Sequence, residues 1–344
     1  MEARTSKTDT PRRAVQALGA LARGWDSRDT LSILLFHRVL ATPDPLIGGT
    51  PTVDSFSDLM RLLRRHCSPL SLAEGLERLA DGSLPARAVC ITFDDGYADN
   101  LHNALPVLTR YAVPATVFTT TAFLHGGLMW NDRVIEAVRR FPGDRIPLES
   151  IGLSGAASAT EQQRAQLIHE LLTAIKHRPP AERAEAVAYL EGLSPGEAPE
   201  LMMTVDQLRE LAAAGVEIGA HTHSHPILAA LDDGAAREEI TRGKDALEAA
   251  LQQDIRFFAY PNGRRGADYS PRDVALVRDS GFQAALTTDF GANRQGIDRY
   301  QLQRFTPWDA GKLRFLARMI HHRGAASLGP PAEVPTLRAE MSST

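Results

Sequence analysis

Two carboxylates stand side by side in the run Thr92-Phe93-Asp94-Asp95-Gly96. They close the apolar stretch Ala88–Phe93, which reads as a buried strand. Adjacent charges at such a strand end must be desolvated together and repel one another, so the arrangement calls for a polar pocket. Gly96 permits a tight turn that aims both carboxylates at the strand's C-terminal edge. A second cluster, His221-Thr222-His223-Ser224-His225-Pro226, follows the apolar run Val216–Ala220. His221 and His225 are four residues apart, a spacing from which two imidazoles reach one cation on a helical turn or in a tight loop. Pro226 argues against a long helix continuing through this point. Three histidines in such a run rarely serve core packing, so the cluster is read as a metal site. A third segment, Phe257-Phe258-Ala259-Tyr260-Pro261-Asn262-Gly263, is a strand ending at a Pro-Asn-Gly turn. Backbone N–H groups of that turn are candidates to face the same pocket.

These residues need elements to hold them. Nearly continuous apolar runs predict strands at Ser32–His37, Ala88–Phe93, Ala115–Thr119, Val216–Ala220, Arg256–Tyr260, Gln283–Thr288 and Gln301–Phe305. Helical periodicity lies between most of them, at Asp54–Cys67, Leu72–Ala80, Leu101–Tyr111, Thr204–Ala214, Asp233–Gln253 and Ser270–Ser280. Strand alternating with helix predicts an α/β fold, an incomplete (β/α)7-type barrel. The three chemical segments follow three different strands and so share the face on which barrel active sites are built. From about 125 to 203 the rhythm breaks into an Ala-, Glu- and Arg-rich stretch, read as a helical insertion.

Composition sets the outer bounds. The 344 residues are 43% hydrophobic and 23% charged, as expected of a soluble globular chain with a full core. A net charge of −4 gives no reason to expect nucleic acid or an anionic membrane as partner. Cys67 and Cys90 do not suggest a disulfide scaffold, and Cys90 reads as a buried strand residue. The first 30 residues are too charged for a secretory signal, and no apolar run is long enough to span a bilayer, so a cytoplasmic location is expected. The tail 323–344 is expected to be disordered.

Taken together, the segments resemble the polysaccharide deacetylases, carbohydrate esterases with a NodB-homology domain. The carriers are Thr92-Phe93-Asp94-Asp95-Gly96, His221-Thr222 with His225-Pro226, and the Pro261-Asn262-Gly263 loop. The likeness covers about 32–307, within a domain placed at 31–322. It implies Asp94 as general base and Asp95, His221 and His225 as ligands of one divalent metal ion. That ion is expected to be Zn²⁺, with Co²⁺, Ni²⁺ or Fe²⁺ as alternatives. His223 falls at a variable position of the motif and stays outside the ligand set. The implied reaction is hydrolysis of an N-acetyl group on an N-acetylhexosamine of a glycan or glycan precursor, with an Asn262 N–H at the oxyanion.

Two departures from the family pattern narrow the likeness. Ala259 stands where many members carry an arginine that holds the catalytic aspartate, and no Leu-x-His segment follows Phe305. Instead His37 ends the first strand, as in the subgroup related to poly-N-acetylglucosamine deacetylases, and the resemblance makes His37 the general acid. Arg38 and Arg304 are the candidates to replace the missing arginine, and neither is expected to serve. Trp130, with Asn131 and Asp132, and Tyr260 are candidates to line the sugar site; His102, His321 and His322 are expected at the surface. No Gly-x-Ser-x-Gly elbow, P-loop or dinucleotide fingerprint occurs. The competing readings are the same metal site acting on another ester or amide, and a silent glycan-binding protein.

Overall fold

The computed structural model describes residues 27–307 and 312–324. The expectations for residues 1–26 and for the tail beyond 324 lie outside the described residues. Seven parallel strands form the barrel: β1 (Thr30–Phe36), β2 (Ala88–Phe93), β3 (Ala115–Thr119), β4 (Glu217–Ala220), β5 (Phe257–Ala259), β6 (Ala284–Phe290) and β7 (Leu302–Arg304). They pair in chain order, with Leu34 beside Ile91, Thr92 beside Thr116 and Phe118 beside Gly219. The ring closes where Phe305 donates to the Ile33 carbonyl at 2.8 Å and accepts from the Leu35 N–H at 3.0 Å. Ser68–Pro69 pairs with the start of β2, and Asn293–Arg294 pairs antiparallel with the start of β1.

Strand alternation divides the side chains between two cores. Leu31, Ile33, Cys90, Phe118, Phe257, Ala259, Leu286 and Leu302 fill the barrel interior together with Leu72 and Leu79 of helix Leu72–Asp81. Leu34, Phe36, Val89, Ile91, Val117 and Phe258 point outward against Phe56, Leu208, Ile240 and Val274 of the surrounding helices. This parity matters for the chemistry. Thr92 and Asp94 continue the inward row of Cys90, and Arg304 continues that of Leu302.

The expected helix at Leu101–Tyr111 begins as a wider π turn, Asn100–Ala104, before the α-helix Leu105–Tyr111. Pro106 has no N–H to give the His102 carbonyl, so a regular α ladder cannot run through that turn. Between β3 and β4 stand helices Trp130–Arg140, Glu161–Lys176 and Pro180–Gly192, packed around Val134, Leu167, Leu171 and Val187. A two-residue ribbon, Arg145–Ile146 with Ala156–Ala157, joins the first two. Cys67 and Cys90 are both free thiols. His322 corrects an expectation: it is buried against Phe305 because its helix, Lys312–Gly324, covers the closing edge of the barrel. No helix among the described residues is long and apolar enough to cross a membrane.

Candidate active site

The three chemical segments meet at the C-terminal rim, and their backbones are bent sharply to do so. Among the described residues, seven non-glycine positions have positive φ, and Asp95, Thr222, His225 and Asn262 are four of them. Such conformations cost on the order of 1–3 kcal/mol each and persist where the surroundings hold them. At Asp95 the holding group is Thr120, whose hydroxyl and N–H both donate to the Asp95 carbonyl, at 2.7 and 3.3 Å. In the histidine loop the Thr222 hydroxyl donates to the His221 carbonyl at 2.6 Å and accepts the His225 N–H at 3.0 Å. The loop is thereby folded back so that the rings of His221 and His225 lie 4.9 Å apart.

Helix Asp233–Leu251 supports this loop from below. Glu239 accepts the N–H groups of His223 and Ser224, at 3.1 and 2.7 Å. One turn further, Gly243 meets the loop backbone so closely that a Cβ would sit 2.7 Å from the Thr222 carbonyl carbon. Backbone cannot yield as a side-chain tip can. Gly243→Ala is therefore expected to cost about 1–3 kcal/mol in chemical denaturation. It should also disturb the convergence of His221 and His225 on Asp95, read as a divalent-metal affinity about tenfold or more below that of the unaltered chain in a competition titration against a chelator. Unchanged stability and metal affinity would show that the loop moves freely.

The histidine loop and the Asp-Asp-Gly turn bring three donor atoms together. Asp95 Oδ1 lies 3.4 Å from His221 Nε2 and 3.4 Å from His225 Nε2, and the three atoms fall within 4.8 Å of one another. His221 Nδ1 sits 2.7 Å from the Ala259 carbonyl, so it bears a hydrogen and Nε2 is the nitrogen aimed at Asp95. Burial pushes the His225 imidazole down to about 4, despite the opposing charge of Asp95, so it is neutral and able to donate a lone pair near pH 7. Burial works against the Asp95 charge, but the His221 hydrogen bond and the nearby histidine charges prevail and hold it well below the usual carboxylate range. His221 is drawn the other way: burial lowers its proton affinity, and Asp94 and Asp95 more than restore it. The pocket thus favours positive charge at the point where the three donors converge. The donor set, one carboxylate and two imidazoles, suits Zn²⁺.

Asp94 is buried beside this cluster and has its own partner. Arg304 grips it with two nitrogens, each 2.7 Å from a carboxylate oxygen. The guanidinium is fixed in turn by the Thr287 carbonyl, which accepts from its Nε at 2.6 Å. Burial opposes the Asp94 charge, yet the charge and hydrogen bonds of Arg304, with His221, keep the carboxyl ionised below its ordinary range. The expectation that Arg304 would not serve is therefore corrected. Arg304 occupies the inward row of β7, whose register brings it over Asp94 once the barrel closes. Arg38 instead pairs with Asp99 at 2.7 Å.

The other candidates divide. His37, Trp130 and Asn262 all line a cleft of about 550 Å³ together with Asp94, Asp95, His221 and His225. Tyr260 is corrected: its ring stacks on Tyr269 at 4.2 Å, its hydroxyl donates to the Tyr300 carbonyl, and its N–H donates to the Leu286 carbonyl. It shares the outward parity of Phe258 and belongs to the core. His223 turns away toward the Thr121 hydroxyl at 2.8 Å. A smaller pocket of about 210 Å³ adjoins the cleft at His37, Asp95 and Asn131. At its edge the Tyr97 hydroxyl lies 3.1 and 3.0 Å from the two oxygens of Asp132. Burial raises the Asp132 carboxyl to about 7, with the Asp95 charge adding to the effect.

A parallel barrel with Asp-Asp-Gly and His-x-x-x-His segments on its C-terminal rim has the architecture of a NodB-homology domain. Residues 81–142 and 181–285 match the family model described as Polysaccharide deacetylase, and the chain belongs to that family. The interruption, 143–180, contains the ribbon and helix Glu161–Lys176. YxkH of Bacillus subtilis (strain 168), itself a candidate polysaccharide deacetylase, is 24% identical over 218 residues, 63% of this chain and 50% of its own length. This chain thus spans about half the length of that curated relative. The deacetylase PplD of Streptococcus pyogenes, solved in complex with acetate, superposes with a TM-score of 0.55 at 20% identity, over 85% of this chain and 98% of PplD. IcaB from Ammonifex degensii gives 0.56 at 20% identity, over 86% and 98%. At these identities the two structures establish the shared fold.

Proposed function

We propose that this protein is a metal-dependent N-deacetylase that removes acetyl groups from N-acetylhexosamine residues of a glycan or glycan precursor. The observation that carries this reading is a clamped, ionised Asp94 beside the Asp95, His221 and His225 cluster, in one cleft. Asp95, His221 and His225 would hold a divalent cation, Zn²⁺ by choice of donors, and it would supply Lewis acidity toward an acetyl carbonyl and a water molecule.

The chain's own groups do the rest. Asp94 takes the proton of the attacking water, and Arg304 keeps its carboxylate charged and aimed. The Asn262 loop offers a backbone N–H to the developing oxyanion. His37, exposed at the mouth of the cleft, delivers a proton to the departing amine. Trp130 offers a ring face for a pyranose to stack on. The pairing of His37 on the first strand with Ala259 in the third segment favours the subgroup related to poly-N-acetylglucosamine deacetylases.

Metal analysis with an acetate assay tests the proposal. The purified protein should carry about one zinc per chain and release acetate from a chitooligosaccharide or a poly-N-acetylglucosamine oligomer. A chelator should abolish release, and added zinc should restore it. Undiminished acetate release from metal-free protein would overturn the mechanism.

A further inference from the structure

Helix Glu161–Lys176 lays His169, Leu172, Thr173 and Lys176 along the cleft, and their spacing is that of one helical face. Arg264 reaches the same cleft from the loop that follows Asn262. The two cations are close enough to feel one another. Burial is the main influence lowering the Lys176 ammonium, Asp268 opposes it, and the Arg264 charge lowers it further. Asp268 answers Lys176 from 3.8 Å, too far for a hydrogen bond, and its other oxygen accepts the Arg264 N–H at 3.0 Å. Asp289 also faces Arg264 and Arg265, and burial raises its carboxyl from the ordinary value against the pull of those two charges. Neither the Lys176 ammonium nor the Arg264 guanidinium hydrogen-bonds to another described residue. Cationic heads that line a cleft with their hydrogen-bond donors unused are open to an anion that enters and accepts from both. The helix that brings Lys176 lies in the stretch where the family match is interrupted, so this wall is not part of the shared barrel.

We propose that the substrate carries an anionic group, a phosphate or a carboxylate on or next to the N-acetylated sugar, and that Lys176 and Arg264 bind it. The inference deepens the deacetylase reading and rests on it. Leu172 and Thr173 lie between His169 and Lys176 on the same stripe and give the sugar body a mixed surface to slide along. The two cations then fix its charged end. Recognition of this kind selects a charged glycoside or a precursor over a neutral polymer.

The test compares kcat/KM for N-acetylglucosamine 1-phosphate, N-acetylmuramic acid and methyl N-acetylglucosaminide. At least one anionic substrate should exceed the neutral one by about tenfold, with the difference in KM rather than kcat. Whichever anionic arm responds names the group. In the Lys176→Gln/Arg264→Gln double variant the preference should vanish, while Lys176→Arg should keep most of it. Arg209→Gln, which removes an exposed cation paired with Asp206, serves as the charge control and should leave the preference intact. Equal kcat/KM for all three substrates, or a preference that survives in the double variant, overturns the inference. Calorimetric titration with N-acetylglucosamine 1-phosphate reads binding without turnover. Binding that weakens about tenfold in the double variant, with no acetate released by any form, would keep the anion site and remove the deacetylase reading.

Discussion

Under the proposed mechanism, Asp94→Asn should leave a folded protein that retains its metal and releases acetate about a hundred- to ten-thousand-fold more slowly. Asparagine fills the same space and still accepts from Arg304, but it cannot take a proton from water. The three donor atoms of Asp95, His221 and His225 are separate from the Asp94 carboxylate, so metal content should not fall. His225→Ala should behave differently. It removes one donor and leaves two, and both zinc and activity should be lost together. Metal analysis on the two variants in parallel separates the roles. An Asp94→Asn protein with normal turnover would end the assignment of Asp94 as base.

Arg304→Met should be the most destabilising single change in the site. It leaves the Asp94 charge buried without its cation, at about 3–5 kcal/mol. The sign of the accompanying pH effect follows from the direction of the Asp94 shift. Burial alone would raise this carboxyl, and Arg304 reverses that, so the folded-state value lies below the unfolded one. The pair therefore stabilises the wild type above the ordinary carboxylate range, and that contribution is lost as pH falls through the lowered folded-state value. In Arg304→Met the carboxyl should instead titrate upward. The acid limb of kcat/KM should move to higher pH, and stability should rise less on leaving the acid range than it does in the wild type. The double variant Asp94→Asn/Arg304→Met should recover much of the lost stability while remaining inactive. If denaturant melts of Arg304→Met and wild type coincide at neutral pH, Arg304 does not compensate the buried charge.

Much of this was legible in the chain because buried parallel strands announce themselves. Seven apolar runs marked the seven strands, and the polar residues just beyond the runs ending at Phe93, Ala220 and Tyr260 marked the rim. Arg304 was harder. Its partner lies two strands away around the ring, on β2, and the pairing depends on how far β7 is shifted when Phe305 seals against Ile33 and Leu35. No local pattern carries that shift. Tyr260 was misjudged although a signal existed: with Phe257 and Ala259 facing inward, alternation sends Phe258 and Tyr260 outward. Lys176 could not be placed from sequence at all, because an inserted helix docks by packing of its own small core rather than by strand order.

The clamp on Asp94 ties chemistry to the end of the chain. By the time a ribosome has released residues through His225, every candidate metal donor has emerged, but Arg304 is still unsynthesised. The guanidinium reaches its carboxylate only when β7 slots between β6 and β1, the last seam of the cylinder. A nascent or truncated polypeptide can therefore gather the cation donors and still lack a charged, aimed Asp94. Closing the cylinder and clamping Asp94 are thus one and the same contact.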